Sequence, residues 1–184
     1  MLYDLALTEF SLALNQGFKP LEIYRVRSYI FLEQKNYEAA ISDIQKGLAL
    51  VPKDLNFLKA LGSAHLERNE FPAALDAFRR AILLAPKDGD LYYNIARVQL
   101  AMGDSKAQAA AADAALKNGT QFVGEAYYLL GDANQKQKNI AGAIDAFQKA
   151  ISAKPDSYSV YRSLADIFRS ENRFADAITV LTGL

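Results

Sequence analysis

Residues 58–86 run LKALGSAHLERNEFPAALDAFRRAILLAP, and residues 127–155 run YYLLGDANQKQKNIAGAIDAFQKAISAKP. Both stretches place large, small and proline residues at the same offsets. The shared positions are Leu61, Gly62, Ala74, Phe78 and Pro86 in the first stretch and Leu130, Gly131, Ala143, Phe147 and Pro155 in the second. Apolar residues recur at helical spacing within each half of a stretch. Each stretch therefore predicts two helices joined by a short turn.

This pattern repeats about every 34 residues along the whole chain. We divide the 184 residues into half a repeat followed by five repeats, with bounds at 1–20, 21–54, 55–88, 89–123, 124–157 and 158–184. Polar, short connections join the repeats, which predicts one continuous array of about eleven helices over 1–184. We interpret the chain as a segment of a longer array; the alternative is a complete small protein that covers its ends by dimerising.

The repeated residues resemble those of the tetratricopeptide repeat (TPR) family. This resemblance implies an all-α fold, a right-handed superhelical solenoid of antiparallel helix pairs, in which each repeat has a helix A and a helix B. The match is weaker in the first repeat, where Arg27 and Ser28 replace Leu and Gly. It is weaker again in the third, where Gln108 replaces a small residue and Ala112 an aromatic one. The third repeat is expected to be the weakest or the most closely packed.

Composition excludes several classes of function. Lys plus Arg equals Asp plus Glu, so the net charge is zero and gives no support for binding to nucleic acid. Cysteine is absent, which excludes disulfides and thiolate metal sites. No apolar run reaches the length of a membrane span. The sequence does not decide the cellular compartment, which is the cytoplasm or, if a leader was removed, the periplasm.

The residues needed for catalysis are also missing. His65 is the only histidine, and it lies where the repeat pattern predicts a packed core side chain. No cluster has transition-metal spacing, and no glycine-rich phosphate loop follows a strand. The sequence therefore predicts no enzyme activity, no cofactor and no metal site. Asn118-Gly119-Thr120 fits a glycosylation acceptor, but Gly119 fits a left-handed helix stop better.

The resemblance also implies where a partner would bind, since the A helices of the family line the concave groove. Matching offsets predict a partner-binding set of Arg25, Tyr29, Lys59, Tyr93, Asn94, Arg97, Tyr128, Asp132, Arg162 and Arg169. Tyrosine offers a large surface with a polar tip, and arginine or lysine can hold carboxylates. An acidic peptide or helical segment would fit such a groove.

Four of these residues have a stated alternative role. Tyr93 and Tyr128 could pack between repeats without touching a ligand, and Arg25 and Lys59 could pair with Glu22 or Glu33. Binding of a chaperone's C-terminal carboxylate is not supported, because only Lys59 and Asn94 match the residues that such TPR proteins use.

The leading hypothesis is a non-catalytic protein–protein interaction scaffold that binds a peptide or partner domain in the groove. The first alternative is a structural module that self-associates through its repeat ends. In the half repeat, one apolar stripe runs from Tyr3 to Leu14 and a second is formed by Leu2, Leu5 and Leu12; Leu181 lies at the other end. A further alternative is the repeat portion of a larger enzyme or secretion component.

Overall fold

A computed structural model describes residues 2–183, apart from the side chains of Leu2 and Asp4. Within that range the chain forms eleven α-helices and no strand. The first unit, residues 1–86, contains α1 (Leu2–Asn15), α2 (Pro20–Glu33), α3 (Tyr37–Leu50), α4 (Leu55–Glu67) and α5 (Phe71–Leu84). The second unit, residues 87–184, contains α6 (Gly89–Met102), α7 (Ser105–Lys117), α8 (Val123–Lys136), α9 (Ile140–Ala153), α10 (Tyr158–Ser170) and α11 (Phe174–Thr182). The all-α fold class and the helix number are confirmed.

The helices pair within each repeat because the turns between A and B helices share one backbone geometry. One or two residues after each A helix, a residue is left-handed: Lys35, Asn69, Gly103, Lys138 and Asn172, with φ between 56° and 76°. Asn36, Asp104 and Asn139 then cap the following B helices by accepting a backbone N–H three residues on. Such caps satisfy N–H groups that have no partner inside the helix. Two of these residues, Lys35 and Lys138, are lysines. Lysine has no preference for the left-handed conformation, so the sequence does not predict it there.

The core of each unit is built from aromatic rings that lie against glycines. A Cβ added to Gly62 would lie 2.5 Å from the Phe78 ring, and one added to Gly131 would lie 2.7 Å from the Phe147 ring. Both phenylalanines are almost fully buried. The small residue thus lets the B helix bring its ring close to the backbone of the A helix.

Prolines and a glycine lie at several helix ends, and Gly119 has the left-handed conformation that the sequence predicts. Pro52, Pro86 and Pro155 follow the ends of α3, α5 and α9, and Pro72 lies in the first turn of α5. Gly119 adopts a φ of +73° after α7. The inner side of α7 consists of buried alanines and of Gln108, which is itself fully buried.

Both terminal helices expose apolar side chains. Leu5 is 69% exposed and Leu12 is 49% exposed on α1, while Ile178 and Leu181 are 63% and 42% exposed on α11. The second stripe predicted on α1 is therefore uncovered at both described positions. Met1, Leu184 and the Leu2 side chain lie outside the described residues.

Candidate functional site

Two of the predicted residues, Arg25 and Tyr29 on α2, line one cavity between α2 and α4, whereas Lys59 on α4 is half-buried and is not part of that lining. Tyr29 is 61% exposed. Beside it is a cavity of about 140 Å³ between the two helices. Its lining residues are Arg25, Ser28, Tyr29, Leu32, Asn56, Phe57 and Ala60. The face therefore combines an exposed aromatic side chain with a mostly apolar depression.

Arg25 is held in one orientation at the edge of this cavity. Its Nη2 atom donates to Asp54 Oδ2 at 2.6 Å, and its guanidinium carbon lies 5.6 Å from the centroid of the Phe57 ring. The carboxylate that pairs with Arg25 is thus Asp54 rather than Glu22 or Glu33. An arginine fixed in this way loses little side-chain entropy when its remaining donors bind a ligand.

In the second unit, Tyr93 of α6 is stacked on another ring. Its centroid lies 4.6 Å from that of Phe122, with 22° between the ring planes. Phe122 is placed there by a loop that Asp90 anchors, since Asp90 Oδ1 accepts from Thr120 Oγ1 at 2.6 Å and from the Gln121 backbone N–H at 3.0 Å. Thr120 is buried in this contact. The contact supports a packing role for Tyr93.

Asn94 and Arg97 lie on the same helix and are linked to each other. Asn94 Nδ2 donates to the Asp90 carbonyl at 3.0 Å, and Arg97 Nη1 donates to Asn94 Oδ1 at 3.3 Å. Burial raises the pKa of the Tyr93 hydroxyl above its ordinary value, and the nearby Arg97 charge opposes that shift. This part of the face is a preformed polar cluster around Tyr93.

Tyr128 of α8 lines a cavity of about 100 Å³ and packs against the core. The distance between its ring centroid and that of Phe147 is 5.8 Å. The cavity lining is Gly124, Glu125, Tyr128, Ala150, Lys154, Ser157, Ser159 and Val160. Lys154 Nζ donates to Glu125 Oε1 at 2.8 Å, and this hydrogen bond lowers the pKa of Glu125. Tyr128 is half-buried, so it presents only part of its ring.

Asp132 is fixed by a residue that departs from the repeat pattern. Gln108 Nε2 of α7 donates to Asp132 Oδ2 and to the Leu129 carbonyl, both at 2.8 Å. Lys136 Nζ also donates to Asp132 Oδ2, at 2.7 Å. The buried Gln108 Oε1 accepts no hydrogen bond. The sequence marks Gln108 as an exception but does not show that it orients Asp132.

The last two predicted residues, Arg162 and Arg169, lie on α10 and are largely exposed. Both flank Asp166: Arg169 Nη1 lies 3.0 Å from its Oδ1, and Arg162 Nε lies 3.9 Å from its Oδ2. Exposed pairs of this kind contribute little to stability. They leave both guanidinium groups accessible to a ligand carboxylate.

A buried ion pair in the first unit was not foreseen from the sequence. Arg27 Nε lies 2.9 Å from Asp43 Oδ2, and only 2% of the Asp43 side chain is exposed. Desolvation raises the pKa of Asp43, although Arg27 and Lys46 act in the opposite direction. A signal was available, because Ala77 and Ala146 occupy the position of Asp43 in two other repeats.

His65 is packed and bonded, as predicted. Its Nδ1 lies 2.5 Å from Glu70 Oε2, and 14% of its side chain is exposed. Among the side chains that the structure describes, which exclude Asp4, no group of three or more His, Cys, Asp or Glu could hold a metal ion. Over residues 2–183 no helix is both long and apolar enough to span a membrane.

Comparison with known proteins identifies the repeats. A tetratricopeptide repeat family model matches residues 59–121, 93–158 and 128–184, which together extend over more than half of the chain. No curated protein sequence matches the chain.

Solved structures agree with the fold. The MamA protein superposes with a TM-score of 0.82 at 20% identity, covering 90% of each chain. MamA from Desulfovibrio magneticus RS-1 gives 0.83 at 21% identity, covering 89% of this chain and 92% of its own. The TPR protein YrrB gives 0.77 at 16% identity, covering 95% of this chain and 89% of its own. At these identities the likeness concerns the fold.

Proposed function

The chain belongs to the tetratricopeptide repeat family, and from this premise we propose that it is a non-catalytic scaffold that binds a peptide segment of another protein on its A helices. The A-helix face of the first unit, formed by Arg25, Tyr29 and Lys59 on α2 and α4, is the primary contact. One observation carries the proposal. Tyr29 is 61% exposed beside a cavity that Arg25 and Phe57 also line.

The chemistry of this face selects the kind of peptide. An aliphatic or aromatic side chain can enter the 140 Å³ depression and lie against Phe57 and Tyr29. Arg25 uses its Nη2 for Asp54, so its other donors can hold a carboxylate of the peptide. Exposed tyrosines and oriented arginines are the residue types that dominate binding energy at protein interfaces. The ligand is therefore an apolar residue flanked by Asp or Glu.

The second unit offers its own A-helix face for a longer partner. Arg162 and Arg169 are exposed there, while Asn94, Arg97 and Asp132 are already oriented by neighbours. Tyr93 and Tyr128 contribute the exposed parts of packed rings. YrrB, which shares this fold at 16% identity, is described as a TPR protein with an unusual peptide-binding site. That description supports peptide binding as a use of the fold.

Selection from a random 12-residue peptide library displayed on phage tests the proposal. We expect the purified protein to enrich peptides with an apolar residue next to Asp or Glu. Fluorescence anisotropy of one enriched peptide then gives its Kd for the variants Tyr29→Ala and Arg25→Ala. Each change should weaken binding by about 1 to 2 kcal/mol, or roughly five- to thirtyfold.

Tyr158→Ala is the matched control. Tyr158 is 62% exposed, almost the same as Tyr29, but it lies outside the predicted set. It should leave the Kd unchanged. Equal losses for Tyr29→Ala and Tyr158→Ala, or enrichment of peptides without any acidic residue, would contradict the proposal.

A second candidate function is self-association through the terminal helices. The supporting observation is the exposure of Leu5 and Leu12 on α1 and of Ile178 and Leu181 on α11. Contiguous exposed apolar side chains are typical of interaction surfaces. This function and peptide binding use different residues and can be separated by substitution.

Light scattering coupled to size exclusion, over a hundredfold range of concentration, tests self-association. An oligomer that dissociates on Leu5→Glu or Leu181→Glu, with peptide binding retained, would establish it. A monomer at every concentration would exclude it and leave peptide binding as the function.

A further inference from the structure

At one position of the A helix, the second repeat has a smaller residue than the other repeats, and a cavity lies beside it. The residues at this position are Tyr24, Leu58, Tyr92, Tyr127 and Tyr161 in the five successive repeats. Four repeats therefore carry tyrosine, and only the second carries the smaller leucine.

In the first and fourth repeats the tyrosine ring is covered by a lysine of its own B helix. Lys46 Nζ lies 5.8 Å from the centroid of the Tyr24 ring, and Lys149 Nζ lies 5.9 Å from that of Tyr127. A cation at this distance is attracted to the face of the ring. The same two positions thus form a ring-and-cation pair in each of the two units.

In the second repeat the cation is present but the ring is not. Arg80 occupies the position of Lys46 and Lys149, and Leu58 replaces the tyrosine. A cavity of about 400 Å³ opens there, within the first unit. Its lining is Pro52, Lys53, Leu58, Arg80, Leu83 and Leu84.

Leu83 marks this cavity as more than a packing defect. It is 82% exposed, the highest value among the large apolar side chains that the structure describes as exposed. The matching positions of the first and fourth repeats carry Ala49 and Ser152, both exposed. The fold therefore does not need a large apolar residue at this place, and leucine costs solubility there.

We propose that this cavity is a second docking site, which takes an aromatic side chain of a partner protein. The partner's ring fills the place that tyrosine fills in four of the five repeats, with Leu58, Leu83 and Pro52 around it and Arg80 over its face. Residues flanking the ring in the partner are acidic, because both charged side chains of the lining, Lys53 and Arg80, are cations.

The acidic side chains near the cavity do not occupy it. Arg80 has one acidic neighbour, Asp76, at 3.6 Å, yet 44% of its side chain is exposed. Asp54, next to Lys53 in the chain, is engaged by Arg25 at 2.6 Å. No carboxylate lines the cavity among the residues that the structure describes.

Methyl NMR with the peptide acetyl-EEYEE-amide tests the proposal. Titration should move the Leu83 and Leu84 methyl resonances upfield, by the ring current, and to saturation. Arg80→Ala should weaken binding by about threefold to fivefold through the lost cation–ring contact. The peptides acetyl-EELEE-amide and acetyl-KKYKK-amide should bind more weakly than the tyrosine peptide with acidic flanks.

Two variants keep the test decisive. Leu58→Tyr introduces the side chain that the other repeats carry, so it should fold and should abolish the shifts by filling the cavity. Leu83→Ser copies the residue of the fourth repeat and should weaken binding, as measured at the Leu84 methyls. Undiminished shifts in Leu58→Tyr, no saturation, or equal affinity for the leucine peptide would overturn the proposal. Shifts that depend on the concentration of the free protein would assign the cavity to a second copy and overturn it as well.

Discussion

The first and second units treat the tyrosines of their A helices differently. Tyr29 in the first unit is 61% exposed beside a cavity, whereas Tyr93 in the second lies 4.6 Å from the Phe122 ring and is half-buried. Both residues are predicted to face a groove. The comparison shows that a helical offset places a side chain on a face, but its neighbours decide whether it packs or remains available.

The neighbours differ because Tyr29 is the ninth residue of its repeat and Tyr93 the fifth, and because one loop brings a ring to Tyr93. Phe122 follows α7 in the third repeat, where Asn118-Gly119 replaces the proline that follows α3, α5 and α9. Asp90 then binds Thr120 and Gln121 and brings Phe122 onto Tyr93. In the first unit the matching fifth position holds Arg25, which pairs with Asp54, and the Phe57 ring lines the cavity beside Tyr29.

The largest expected effect separates packing from exposure. Tyr93→Ala should lower the free energy of unfolding by about 2 kcal/mol, because it removes a half-buried ring and its stacking with Phe122. Tyr29→Ala should change it by about 0.5 kcal/mol or less. Urea denaturation followed by circular dichroism measures both. Similar losses for the two variants would show that Tyr29 is also a packing residue.

A smaller difference is expected between two aspartates at matching positions of the second unit. Asp132→Ala leaves the buried Gln108 amide with only the Leu129 carbonyl as acceptor, and should cost about 1 to 2 kcal/mol. Asp166→Ala removes only exposed pairs with Arg162 and Arg169 and should cost about 0.5 kcal/mol or less. The same denaturation experiment compares them. Equal costs would contradict the orienting role of Gln108.

The smallest expected effect is the pH dependence of stability. The responsible pKa shift is upward for Asp43 in the first unit and downward for Glu125 in the second. Burial raises the pKa of Asp43 above 3.8, so stability falls as the pH rises from 3.8 to the folded-state value. The hydrogen bond from Lys154 lowers the pKa of Glu125 below 4.5, so its contribution is complete above pH 4.5 and is lost as the pH falls through the folded-state value. Carboxyl-carbon NMR titration should show Asp43 titrating above 3.8 and Glu125 below 4.5. Shifts in the same direction would refute this contrast.

Much of the fold follows from the sequence. The eleven helices, and the recurring small, aromatic and proline positions at Gly62, Phe78 and Pro86 and at Gly131, Phe147 and Pro155, are visible in the repeat pattern. These features depend on local propensity and on positions that recur. A residue type that returns at the same offset in several repeats therefore strengthens the prediction for each of them.

The candidate site is less predictable, because it depends on exceptions to the repeat. Arg27 and Asp43 each depart from the pattern in the first repeat. Their opposite charges form an ion pair between α2 and α3. Gln108 also departs from the pattern, and it donates a hydrogen bond to Asp132 across α7 and α8. A pattern identifies each departure separately, whereas its partner depends on side-chain directions that only the structure supplies.

Amide NMR of the whole protein, titrated with a peptide enriched by the selection described above, tests the central claim most directly. The account predicts that the largest shifts occur in α2 and α4, at Arg25, Tyr29, Lys59 and the residues beside them, and that Tyr29→Ala abolishes them. Shifts confined to the B helices, or unchanged by Tyr29→Ala, would contradict peptide binding on the A-helix face.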